Sequence, residues 1–226
     1  RLFKVATRMA EARSALEDET AVLMAESVVV LPEGYARLNP QPILKSSREV
    51  ALRALGRVLR TIGGKLYAPR GEQLVDCYES LVMSQKVERK FCRTLCGCQM
   101  REKDGSIFIY REQINRAEIS EIGQKWLWDG RFLMTGPPNR ISKVYLADGQ
   151  KPPNLGAYIK ERIPIPFWQA LPLLTGLDGE ALVPNVKGTL LHTSKSEGIS
   201  FEASFQPRRP LSEASFGSNG GVGVKG

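Results

Sequence analysis

The chain has 226 residues, a formal net charge of +8 and a hydrophobic fraction of 42%, which is the composition of an ordinary soluble globular protein. No apolar run reaches the roughly 18–20 residues of a membrane span and no segment resembles a secretory signal, so we predict a cytoplasmic protein with no membrane partner. The positive charge favours an anionic partner such as nucleic acid.

The chain begins with a helical pattern. Apolar residues recur at helical spacing along residues 2–27, which predicts a helix that packs through one face (Leu2, Val5, Met9, Ala12 and Leu16). This pattern is already under way at Arg1, where a natural start would show Met, so we expect a fragment that lacks an upstream portion. The β-branched run 28–31, stopped by a proline and a glycine, predicts a strand.

Pro40 and Pro42 are expected to break the chain. A second helix is then predicted after Ser46-Ser47, and it ends at Gly63-Gly64. Residues 46–75 contain six cationic and two acidic side chains, a net charge of +4. The arginines of the helix lie opposite its apolar stripe, and no acidic partner is expected one turn away. Such a stripe is either a solvated face or a phosphate-binding face, and we favour the second. The predicted contacts are Arg53, Arg57, Arg60, Lys65 and Arg70.

Residues 71–86 predict another helix, and the charged run 86–90 suggests a domain boundary. Two apolar runs joined by Asp104-Gly105 then predict a β-hairpin with basic flanks, because glycine supplies the positive φ of a tight turn. A further strand is predicted at 126–128. Arg101, Lys103, Arg111 and Arg131 form a second, weaker group of predicted phosphate contacts. For Arg131, in Asp129-Gly130-Arg131, a purely local structural role is the alternative.

The remaining patterns predict strands near 144–146, 181–184 and 199–205, a short helix at 155–161 and a disordered tail over 212–226. Cys92, Cys96 and Cys98 are placed on a single strand with alternating faces, an arrangement unsuited to zinc. No metal site is predicted. His192, the one histidine, has no sequence pattern that links it to a nucleophilic cysteine.

A series of short motifs follows in order along the chain to about Leu211. The motifs are Gly63-Gly64, 94–100, 109–112, 127–132, Leu171-Pro172, 181–184, Phe205-Gln206-Pro207 and Pro210-Leu211. No single motif is specific, but their order is, and it resembles the C-terminal half of bacterial tRNA(Ile)-lysidine synthetases.

The resemblance implies an enzyme that uses ATP to adenylate the wobble cytidine of an isoleucine tRNA and then joins lysine to it. In that family the chemistry belongs to an N-terminal domain with a Ser-Gly-Gly-x-Asp-Ser loop, and this sequence contains no such loop. ATP and L-lysine are thus expected to bind a part missing from this chain, which alone is predicted to be inactive and to have no catalytic residue.

The resulting prediction is an α+β fold in which a helical tRNA-contacting domain (1–85) precedes a small mixed α/β domain built on the hairpin (86–211). The predicted partner is tRNA(Ile). The alternative is a non-enzymatic basic interaction or dimerisation module, which would form a homodimer.

Overall fold

The computed structural model describes residues 2–112, 124–146, 171–177, 179, 181–188 and 201–212. The predictions for the helix at 155–161, for His192 and for the tail beyond Ser212 lie outside these ranges. The helices are α1 (Leu2–Ser27), α2 (Pro40–Lys45), α3 (Arg48–Ile62) and α4 (Gly71–Lys86), with a 3-10 turn at Pro138–Arg140. None of the described helices is both long and apolar enough to cross a membrane.

The first part of the chain forms a five-stranded antiparallel sheet in the order β1-β2-β5-β4-β3. Its strands are β1 (Val28–Leu31), β2 (Tyr35–Leu38), β3 (Cys92–Leu95), β4 (Cys98–Lys103) and β5 (Ser106–Arg111). The helices cover one face of this sheet, and α3 contacts β2 and β5. One apolar core fills the space between the two layers, as in other α+β folds.

Two smaller sheets surround a second core. One has the order β11-β12-β7-β6 and the other the order β10-β9-β8. The strands are β6 (Lys125–Trp128), β7 (Phe132–Thr135), β8 (Ile141–Leu146), β9 (Pro172–Gly176), β10 (Ala181–Leu182), β11 (Asn185–Val186) and β12 (Glu202–Phe205). Trp126 and Trp128 are buried in this core, as their spacing along one strand face predicts. The predicted α+β class is confirmed.

Residue 86 does not mark a division of the first core. β2, which precedes α2, pairs with β5 of the hairpin, and a single apolar cluster contains residues from Leu23 to Ile109. The two apolar cores instead separate after Arg111. The segments on the two sides of the boundary predicted between residues 85 and 86 therefore share one sheet and one core, because strand pairing joins segments that lie far apart in sequence.

Three local expectations need correction. Pro40 and Pro42 do not interrupt the chain but lie in the first turn of α2, where proline is tolerated, and Asn39 caps that helix by accepting a hydrogen bond from the backbone N–H of Gln41 at 3.1 Å. The first half of α1 does not pack, since Phe3 and Met9 are largely exposed. Residues 91–101 are not one strand, because a turn at Cys96-Gly97 divides β3 from β4.

Candidate nucleic-acid interface

The arginines of α3 do not form a free cationic stripe. Arg53 donates from Nη1 to Glu17 Oε1 at 2.9 Å and from Nε to Glu49 Oε1 at 2.8 Å. Arg57 pairs with the other carboxylate oxygen of Glu17 and is only 6% exposed, and Arg60 is also buried. The expectation that the stripe lacks acidic partners is wrong, because Glu49 lies one turn away and Glu17 reaches across from α1.

Burial lowers the pKa of Arg57, and the neighbouring charge of Arg60 adds to this effect. The guanidinium therefore gains from the negative charge of Glu17 beside it. These contacts attach α3 to α1. To bind a phosphate, Arg57 would have to become exposed and its ion pair with Glu17 would have to break. In the conformation described, Arg57 therefore stabilises the fold and is not available to an RNA.

We expect Glu17→Ala to lower the free energy of unfolding by about 1–3 kcal/mol, because two arginines lose a carboxylate that is largely shielded from water. Chemical denaturation measures the change. The matched control is Glu79→Ala in α4, since Glu79 pairs with Arg48 at 2.7 Å while both side chains are more than half exposed. That substitution should change stability by about 0.5 kcal/mol or less. Equal effects of the two substitutions would contradict a structural role for Glu17.

Two members of the second group of predicted contacts, Arg111 and Arg131, form a buried ion network where the two cores meet. Arg111 donates to Asp129 through Nε at 2.9 Å and through Nη2 at 3.0 Å, and its Nη1 donates to the carbonyl of Gly97 at 2.8 Å. Arg131 donates from Nε to Asp129 Oδ2 at 2.8 Å and from Nη1 to the carbonyl of Gly34 at 3.4 Å. Arg131 is fully buried and Arg111 is 3% exposed. Neither guanidinium faces solvent, so neither can reach an RNA phosphate in this conformation.

The charge of Asp129 is maintained by its partners. Burial alone would raise the pKa of this carboxyl, but Arg131 and Arg111 outweigh burial and hold the pKa below its ordinary value. The carboxylate is therefore ionised at neutral pH. It provides the negative charge that the buried guanidinium groups of Arg111 and Arg131 share. Of the two readings of Asp129-Gly130-Arg131, the geometry supports the local structural role over a phosphate contact.

The turn that holds Asp129 is packed against the end of α3. Asp129 has φ +50° and Gly130 has φ +65°, and Gly64 has φ +65°. A Cβ on Gly64 would lie 2.2 Å from the carbonyl oxygen of Asp129, and one on Gly130 would lie 2.5 Å from that of Gly64. Only glycine permits both the positive φ and this approach of two backbones. The glycine pair that ends α3 thus also positions the ion network.

Four of the predicted phosphate contacts are exposed, namely Lys65, Arg70, Arg101 and Lys103. Lys65 follows the end of α3 and lies beside the β3–β4 turn, where its Cε is 3.4 Å from the position that a Cβ on Gly97 would occupy. Arg101 and Lys103 lie towards the end of β4, whereas this turn comes just before its first residue. Lys65 therefore lies near the start of β4 and Arg101 and Lys103 lie towards its end, while Arg70 stands at the start of α4.

The four cysteines differ in their surroundings. Cys96 lies in a tight turn with φ +56°, Cys77 and Cys98 are buried, and Cys92 is exposed. Burial raises the pKa of Cys77 to about 11 and also raises that of Cys98, so both remain protonated at neutral pH. Within the described ranges no group of three or more potential ligands could hold a metal ion.

The fold and its exposed cations define a basic α+β protein with two apolar cores joined by a buried ion network. Three curated proteins that are similar to it are tRNA(Ile)-lysidine synthases. Those of Wolbachia pipientis wMel and of the Wolbachia of Brugia malayi are 28% and 30% identical to it over 164 and 153 residues, and that of Ruegeria pomeroyi is 31% identical over 137 residues. The chain is thus a relative of the tRNA(Ile)-lysidine synthases, which confirms the resemblance found in the sequence.

The alignments cover 71%, 66% and 61% of this chain but only 37%, 35% and 31% of the respective relatives. The chain therefore spans about a third of the length of the curated relatives that it matches. No family model matches the chain.

Proposed function

We propose that this chain is the C-terminal, tRNA-binding portion of a tRNA(Ile)-lysidine synthase, the ligase that joins lysine to the wobble cytidine of the isoleucine tRNA with a CAU anticodon. The observation that carries the proposal is the similarity to three such synthases over 61–71% of the chain. ATP and lysine would bind another part of the enzyme, since the sequence lacks the Ser-Gly-Gly-x-Asp-Ser loop to which the family's chemistry belongs.

In this proposal the predicted cations divide into two groups by their surroundings. Lys65, Arg70, Arg101 and Lys103 are exposed and supply phosphate contacts, which orient an RNA without reading its sequence. The others hold the folded surface in place through buried or half-buried contacts. Selectivity for tRNA(Ile) would come from the shape of the tRNA and from the position in which it is held.

The proposal predicts that the full 226-residue chain binds unmodified tRNA(Ile) with a CAU anticodon more tightly than it binds a methionine tRNA. Fluorescence anisotropy at 50 and 200 mM salt measures both affinities. Replacing Lys65 and Lys103 with glutamine should reduce the slope of log K against log salt by about 1.4–1.8, because each lost phosphate contact removes a released counterion. Equal affinity for the two tRNAs would contradict the proposal.

The alternative is a non-enzymatic interaction or dimerisation module. The exposed apolar side chains of Phe3, Val5 and Met9 on α1 favour this alternative, because they offer a surface through which two copies could associate. It predicts a homodimer in light scattering and no preference among RNAs. A monomer with selective tRNA binding would exclude it.

A further inference from the structure

The face of the five-stranded sheet that is turned away from the helices is covered in part, since Tyr35 and Tyr110 are buried there, but it also carries a row of side chains that the sequence patterns do not reveal. The strand pairing places Arg37 of β2 opposite Phe108 of β5, and Phe108 opposite Arg101 of β4. Val29 and Cys92 continue the row at the two edge strands. Because neighbouring strands lie about 4.8 Å apart, the two arginines stand about 10 Å apart on either side of the phenylalanine.

This row lies on the face that is turned away from the helices. Side chains alternate between the two faces of a strand, and the residues that flank the row on the three central strands, Ala36, Leu38, Met100, Ile107 and Ile109, are buried in the first core. Arg37 and Arg101 are exposed, Val29 is about half exposed and Phe108 is half-buried. Lys103 lies two residues beyond Arg101 and projects from the same face of β4.

The two arginines also differ from other arginines of this fold in their partners. Arg53, Arg111 and Arg131 are paired with carboxylates. Arg93, on the inner face of β3, donates to the hydroxyl of Ser80 at 2.7 Å. Among the described residues, neither Arg37 nor Arg101 has a carboxylate within salt-bridge distance, and the row itself contains no acidic side chain. An incoming phosphate can therefore approach these guanidinium groups without breaking an ion pair among the described residues.

We propose that this face, with Arg37 and Arg101 as its anchors and Lys103 at its margin, binds the sugar-phosphate backbone of RNA. The inference rests on the proposed tRNA-binding function and extends it to a surface that includes a residue absent from the predicted contacts. Arginine suits this role because its planar guanidinium donates two parallel hydrogen bonds to phosphate. The rigid sheet fixes the separation of the two anchors, so little ordering is required when the backbone binds.

The test uses the full chain with Arg37→Gln and Arg101→Gln combined, and it measures tRNA(Ile) binding by anisotropy over 50–200 mM salt. Loss of two phosphate contacts should reduce the slope of log K against log salt by about 1.4–1.8. Between 50 and 200 mM salt, the factor by which affinity decreases should therefore be about 7–12 times smaller for the variant than for the unaltered chain. The thermal midpoint should stay within about 2 °C, since both side chains are exposed.

The matched control is Lys45→Gln with Arg48→Gln, which removes the same charge from exposed positions of α2 and α3 in the helical layer. If the control reduces the slope as much as the sheet-face variant does, the proposal is overturned, because the effect would then follow net charge alone. An unchanged slope in the sheet-face variant would also overturn it while leaving selective binding of tRNA(Ile) intact. A reduced slope without preference for tRNA(Ile) would support this face and contradict the proposed synthase function. Absence of RNA binding by the unaltered chain would contradict both.

Discussion

Asp129→Asn is expected to lower the free energy of unfolding by about 3–5 kcal/mol, because Arg111 and Arg131 would lose the carboxylate that both of them contact. Asparagine nearly preserves the size of the side chain and tolerates the positive φ of this turn, so the loss isolates the charge. A buried cation without its counter-charge is costly, and here there are two. Urea denaturation followed by tryptophan fluorescence reports the change, since Trp126 and Trp128 lie on the adjacent strand.

The control for this prediction is Asp104→Asn. Asp104 has φ +51° and precedes a glycine in the β4–β5 turn, so its backbone matches that of Asp129, but its side chain is exposed. That substitution should change stability by about 0.5 kcal/mol or less. A loss at Asp129 no larger than the loss at Asp104 would show that the ion network does not support the fold.

Local sequence patterns predicted the elements whose determinants are local. The hairpin around Asp104-Gly105 follows from a turn dipeptide between alternating runs, and the ends of α3 and α4 agree with the predicted helices. The Cys96-Gly97 turn has the same two positive φ angles, but cysteine is not a typical turn residue, so the strand was predicted to continue. Asn39 before Pro40 is a helix-start pattern that could have predicted α2.

The burial of the arginines could not be predicted in this way. Arg57 contacts Glu17, which lies 40 positions earlier on another helix, and Arg131 contacts Gly34, almost 100 positions away. A helical projection places Arg57 opposite the apolar stripe and assumes solvent there, whereas α1 covers that side. The same limit applies to Arg37, whose position beside Phe108, with Arg101 on the other side of that ring, is created by strand pairing alone.

Phe132→Ala is expected to destabilise the fold by about 3–5 kcal/mol. Phe132 is fully buried, and its ring meets that of Phe205 at a centroid distance of 5.4 Å in an edge-on arrangement. The Arg131 guanidinium lies 5.2 Å from the centre of the Phe132 ring, and Phe205 packs against both apolar cores. Removal of the ring would leave a cavity at the junction of the cores, which the surrounding strands cannot fill without breaking their pairing.

Phe3→Ala provides the matched control, because it removes the same atoms from a side chain that is 84% exposed on α1. Its effect on the free energy of unfolding should be within about 0.5 kcal/mol. A large loss at Phe3 would restore the prediction that the first half of α1 packs through its apolar face. For Phe132→Ala, a single transition shifted to lower denaturant would indicate that the two cores unfold together, since the junction stabilises both. Two separate transitions would instead show that the ion network and the aromatic pair connect cores that unfold independently.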